Sequence, residues 1–162
     1  PDANVENMAI MRSCIEAFAK EDLLLVTEFL TYALPGEEPA AYKAKFPSLI
    51  EGGTELSLEA GAKVLKLPYP GSPESCARIT KMCGDVPWSV LSAGVDHETF
   101  LGQIEIAMAN GASGVIAGRA LWKDCLSMDK TVQRDLLTNK ALPRLRQIQA
   151  ILERYPHHVG LA

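Results

Sequence analysis

A chain of 162 residues that is 48% hydrophobic and 22% charged has the size and composition of one globular domain with a buried core. Its net charge of −4 and pI near 5.4 argue against a protein whose main task is holding nucleic acid, but leave room for a small anionic ligand, because one arginine and a few backbone N–H groups suffice for a phosphate. No apolar stretch is long enough to span a membrane and no signal peptide stands at the start, so the expectation is a cytoplasmic protein with no membrane contact.

Residues 3–20 read as a helix, with Ile10, Met11, Cys14, Ile15 and Phe18 on one face. The run Leu23-Leu24-Leu25-Val26-Thr27-Glu28-Phe29-Leu30 reads as a strand, and Pro35, Gly36 and Pro39 mark the loop after it. Residues 40–60 are expected to be mainly helical, broken or kinked near Pro47 and Gly52-Gly53. Lys63 to Pro68 is the second strand. Ser72-Pro73-Glu74 starts a helix with a cap, a proline at the first helical position and an early acid, and Gly84 ends it. Pro87 to Ser92 is the third strand. Asp96 caps a helix carrying Leu101, Ile104 and Met108, which stops at Asn110-Gly111. Ser113 to Ala117 is the fourth strand, and a long polar helical region, interrupted near Ser127 and Pro143, runs to about Tyr155.

The order is therefore one helix and then four βα units. Near-continuous apolar strands joined by helices imply a parallel sheet covered by helices. The strand spacing suits a (β/α)8 barrel of the TIM type, and such a barrel needs about 250 residues, so about half of one fits here. The chain opens on Pro1 and goes straight into a helix. A doubly wound sheet fits the length as well, but it usually has a Gly-rich loop after its first strand, and Thr31-Tyr32-Ala33-Leu34 is not one.

Candidate chemistry sits at the strand ends. Lys66 lies inside the apolar run Val64-Leu65-Lys66-Leu67-Pro68, which reads as buried. Either it snorkels to the strand end and pairs with a carboxylate, or loss of water favours its neutral amine, which can attack a carbonyl and form a Schiff base. Glu28 is a strand-end ion pair on one reading and a proton relay to substrate oxygens on the other. Ser92 and Gly94 form a tight turn, and Gly118-Arg119 begins a helix. Read functionally, the glycines let backbone N–H groups approach a phosphate and Arg119 clamps it. If the four strands are adjacent, Glu28, Lys66, Ser92 and Arg119 converge on one mouth. Cys14, Cys76, Cys83 and Cys125 form no C-x-x-C pair and read as reduced cysteines in or near helices. His97, His157 and His158 have no metal-ligand spacing, and the last two read as a solvated tail. No metal and no other cofactor is expected.

The segments Thr27-Glu28-Phe29-Leu30-Thr31-Tyr32, Val64-Leu65-Lys66, Leu91-Ser92-Ala93-Gly94-Val95 and Ala117-Gly118-Arg119-Ala120-Leu121-Trp122 resemble the C-terminal half of the class I tagatose 1,6-bisphosphate aldolase family, and are similar to the sulfofructose phosphate aldolases. The resemblance runs over almost the whole chain, more loosely around residues 35–60. It implies strands five to eight of a (β/α)8 barrel that cleaves a phosphorylated ketose, without a metal, to dihydroxyacetone phosphate and an aldehyde. By position Lys66 matches the Schiff-base lysine and Glu28 the acid/base glutamate, while Ser92, Gly94, Gly118 and Arg119 match the phosphate site. The family often has an acidic residue two places after the lysine, where this chain has Pro68. The family's first four strands have no counterpart. Residues 1–162 are thus expected to form one domain or fragment, pairing with an N-terminal half-barrel or with a copy of itself. A non-catalytic phosphate-binding half-barrel and a phosphosugar isomerase or epimerase are the alternative readings.

Overall fold

Four strands of the computed structural model, which describes residues 2–155, form one parallel sheet in chain order. They are β1 (Val26–Glu28), β2 (Val64–Pro68), β3 (Trp88–Leu91) and β4 (Gly114–Ile116). The helices are α1 (Asp2–Lys20), α2 (Pro39–Glu59), α3 (Pro73–Cys83), α4 (His97–Ala109), α5 (Arg119–Trp122), α6 (Lys130–Leu136) and α7 (Leu142–Leu152), with a π-helical turn at Leu137–Ala141. Pro1, His157 and His158 lie outside the described residues.

Local chemistry starts and stops the central helices as their sequences require. Ser72 accepts the N–H of Ser75 at 3.2 Å, Pro73 opens α3, and Gly84 leaves it with φ of 56°. Asp96 accepts the N–H of Thr99 at 2.9 Å to open α4, and Gly111 turns the chain out with φ of 94°. Thr80 then ties three elements together: its hydroxyl donates to the Asn110 carbonyl at 2.6 Å and accepts the indole N–H of Trp88 at 3.0 Å.

The two faces of the sheet differ. Leu65 and Leu67 of β2 are fully buried, as are Trp88 and Val90 in register with them on β3. They pack with Ile50 of α2, Ile79 of α3, Phe100 and Ile104 of α4 and Ile148 of α7 in one core. The alternate residues face the other way. There Val26 and Ile116, on the edge strands, are 43% and 36% exposed, while Lys66 and Ser89 on the central strands are half-buried and Leu91 is buried. A parallel sheet is ordinarily covered on both faces, so a face left open at its edge strands, termed the bare face, is the layout of part of a barrel.

Several expectations need correction. The first strand is three residues long, not eight, and Leu23, Leu24 and Leu30 are exposed. β1 pairs only along Val64 to Lys66, so the rest of the apolar run has no ladder to join. The α1 face is largely bare as well: Met11 and Ile15 are half-buried, but Ile10, Cys14 and Phe18 are exposed. Helix α2 runs unbroken through Pro47 and Gly52-Gly53. Gly53 is there for packing: a Cβ on it would lie 2.2 Å from a ring carbon of Phe29, whereas a Cβ on Gly52 would meet open space. Pro143 does not interrupt its helix. It stands in the first turn of α7, and the preceding π turn carries the chain past the hydrogen bond that proline cannot donate. The break near Ser127 is present, between α5 and α6. Among the described residues no helix is long and apolar enough to cross a membrane, and no group of three or more His, Cys, Asp or Glu side chains could hold a metal.

All four cysteines are free; Cys14 is exposed, while Cys76, Cys83 and Cys125 are buried. Burial pushes the thiols of Cys76 and Cys83 up to about 11. An unfolded thiol ionises near 8.5, so the unfolded chain sheds these protons first as pH rises. The contribution to stability is complete below about pH 8.5 and is lost on the way to pH 11. A thiol reagent at pH 8 is expected to modify Cys14 rapidly and the other three only with denaturant, and the melting temperature to fall from pH 8.5 to 11. A second fast-reacting thiol in the folded chain would show that the packing around α3 and α5 is wrong.

Candidate functional site on the bare face

The register places Glu28, Lys66, Ser89 and Gly114 in one row across all four strands. Lys66 is therefore not buried among the apolar residues of β2. It alternates with Leu65 and Leu67 and stands on the bare face, its side chain 27% exposed. Its ammonium Nζ donates to Oε2 of Glu28 at 2.6 Å, and the Glu28 side chain is 31% exposed. The carboxylate that satisfies this lysine is thus the glutamate singled out from the sequence. A pair this open to water binds weakly, so either partner can exchange it for a ligand at little cost.

The row has two small members. Gly114 carries no side chain, and a Cβ there would lie 3.4 Å from the Ser89 hydroxyl. Together they leave the sheet surface low beside Lys66. Sequence reading passed over both; the alternation of buried Trp88 and Val90 with Ser89 was the available signal.

The second cluster lies where β3 and β4 end. Ser92 is buried, and a turn follows in which Ala93 and Gly94 have φ of 47° and 81°. The N–H of Val95 closes it on the Ser92 carbonyl at 3.1 Å. Arg119, the first residue of α5 after Gly118, lies over this turn: a Cβ on Gly94 would sit 3.5 Å from the guanidinium carbon. Arg119 is exposed and forms no ion pair or hydrogen bond among the described residues. Lys123, not singled out from the sequence, donates from Nζ to the Gly94 carbonyl at 2.9 Å. The strands thus bring Glu28 and Lys66 together on one side, and Ser92, Gly94, Gly118 and Arg119 on the other. A cavity of about 530 Å³ lies elsewhere, between α1, α2 and the segment after β1, lined by residues such as Met11, Phe29 and Gly53.

The sequence profile of the DeoC/LacD family aldolases matches residues 2–124. This chain belongs to that family. Among curated relatives of this chain, the class 1 fructose-bisphosphate aldolase of Thermoproteus tenax is 33% identical over 81 residues, covering 48% of this chain and 30% of that protein. The 2-amino-3,7-dideoxy-D-threo-hept-6-ulosonate synthase 1 of Archaeoglobus fulgidus is 40% identical over 72 residues, covering 43% and 26%. In structure the chain resembles an archaeal fructose-1,6-bisphosphate aldolase solved with its catalytic lysine covalently bound to a carbinolamine intermediate. The TM-score is 0.62 at 25% identity, over 91% of this chain and 51% of that one. The chain thus spans about half the length of this solved relative. The four-stranded sheet and its helices have the layout of part of an aldolase barrel.

Proposed function

We propose that this chain is the Schiff-base-bearing, C-terminal half of a class I aldolase barrel acting on phosphorylated ketoses, tagatose 1,6-bisphosphate and fructose 1,6-bisphosphate being the leading substrates. The observation that carries the reading is the contact of Lys66 with Glu28 at 2.6 Å; Arg119, beside Gly94 past the ends of β3 and β4, has no carboxylate partner among the described residues. Glu28 takes a proton from the ammonium, and the neutral amine attacks the ketone carbon. Glu28 then protonates the carbinolamine oxygen, which leaves as water and gives the iminium. The iminium draws the electrons of the C3–C4 bond as Glu28 or a water removes the C4 hydroxyl proton. An aldehyde departs and an enamine remains. Protonation at C3 and hydrolysis release dihydroxyacetone phosphate and restore the amine. Arg119, with the Ser92–Gly94 turn and Gly118, holds the phosphate next to the ketone.

Every group needed for imine formation lies within residues 1–162 on this reading, so the half-reaction tests it. Sodium borohydride with dihydroxyacetone phosphate is expected to add the reduced three-carbon phosphate to Lys66, read by peptide mass. An isomerase or epimerase would leave the mass unchanged. Modification of a lysine other than Lys66, or of none, would overturn the assignment.

A further inference from the structure

Two cations meet at one turn, and among the described residues neither pairs with a carboxylate. Arg119 and Lys123 are four residues apart, the first in α5 and the second at its C-terminal end, a spacing that puts both side chains on one face. The guanidinium packs on Gly94 and the ammonium donates to the carbonyl of that same residue. The neighbouring acids are engaged elsewhere. Asp96 caps α4 through the N–H and hydroxyl of Thr99, at 2.9 and 2.6 Å. Asp124 is held by Arg144 at 2.6 Å and Lys140 at 2.8 Å. In a chain with 20 acidic and 16 basic residues, two such cations without a counter-charge on one turn is an uncompensated positive spot. The carbonyl satisfies only one of the three ammonium donors of Lys123.

We infer that Lys123 is a second cation of this anion site, and that with Arg119 it makes the site select a dianion over a monoanion. The inference rests on the phosphate reading above and deepens it. A phosphate monoester carries close to two charges at neutral pH, matching two cations; a sulfonate or a carboxylate carries one and leaves a cation unmatched. Arg119 supplies the planar fork, and Lys123 a point charge anchored on the turn it serves. The substrate end bound at Gly94 is then a phosphate monoester and not a sulfonate.

The test is an NMR titration at constant pH 8 and ionic strength, following the Gly94 and Gly118 amides with sulfate and phosphate as dianions and methanesulfonate as monoanion. Lys123→Gln is expected to weaken both dianions about tenfold, the loss of one charge-assisted contact, and methanesulfonate less than about twofold. Lys123→Arg should restore dianion binding. Arg119→Gln should weaken all three anions. Equal losses for dianion and monoanion in Lys123→Gln would make Lys123 a structural latch for the turn and overturn the inference, as would no loss. A wild-type chain that binds none of the three anions would defeat the phosphate site itself, and the role of Lys123 with it.

Discussion

Lys66→Ala will form no borohydride-reducible adduct with dihydroxyacetone phosphate, while its amide shifts on binding inorganic phosphate at Gly94 and Gly118 stay as in wild type. Lys66→Arg will fail to form the adduct too. Its guanidinium stays protonated and has no lone pair to offer a carbonyl. Neither substitution should unfold the chain. The ion pair with Glu28 is partly open to water, and such pairs contribute at most about 1 kcal/mol, so the change in stability is expected within that limit. Glu28→Gln separates proton transfer from nucleophilic attack. It keeps the shape and loses the base, and should slow imine formation by about 10²–10⁴-fold without abolishing it. A Lys66→Ala chain that still accumulates the adduct would remove this residue from the chemistry. Unchanged rates in Glu28→Gln would reduce the pair to an ordinary surface ion pair.

What the sequence made legible follows from how far each signal reaches. Ser72 and Asp96 were readable because a cap acts on residues two or three positions away, inside the window a reader inspects. Lys66 and Glu28 were readable because a charged residue in an apolar run is conspicuous wherever its partner lies. That they touch was not readable. It depends on the register of β1 against β2, set by residues 38 positions apart. The same non-locality hid the end of β1. Leu23 and Leu24 are as apolar as a strand needs, but nothing on β2 lies opposite them. It also misled the reading of α2, where Gly53 looks like a break and is instead the seat of Phe29, 24 residues earlier. Ser89 and Lys123 were missed for a further reason. A serine in a strand and a lysine after a short helix are ordinary until the register and the turn at Gly94 give each a neighbour.

The chain by itself is expected not to run as a monodisperse monomer in light scattering, and to show little or no turnover in a coupled aldol-cleavage assay. Its accessible surface is 10125 Å², well above the roughly 7,900 Å² that size scaling gives a compact monomer of 17.6 kDa. The difference is more than the about 800 Å² per partner that a standard interface buries. The distribution of apolar surface points the same way. Val26 and Ile116 line the bare face at the two edge strands, and Leu23, Leu24, Leu30 and Leu34 flank β1 while Trp122, Leu126 and Met128 follow β4. Edge strands of this kind are open to further pairing, and a second half-barrel, were one to pair here, would supply both further ladders and a cover for Lys66. Val26→Lys and Ile116→Lys place a charge on each edge and should reduce association, while leaving the covered core, and hence the circular dichroism spectrum, unchanged. Turnover has a separate requirement. Imine formation uses Lys66, Glu28 and the phosphate turn, but cleavage also needs water excluded from the iminium, and half a wall does not exclude it. A stable monomer with vigorous aldol cleavage would show that four βα units suffice, and that the bare face is a finished active-site surface.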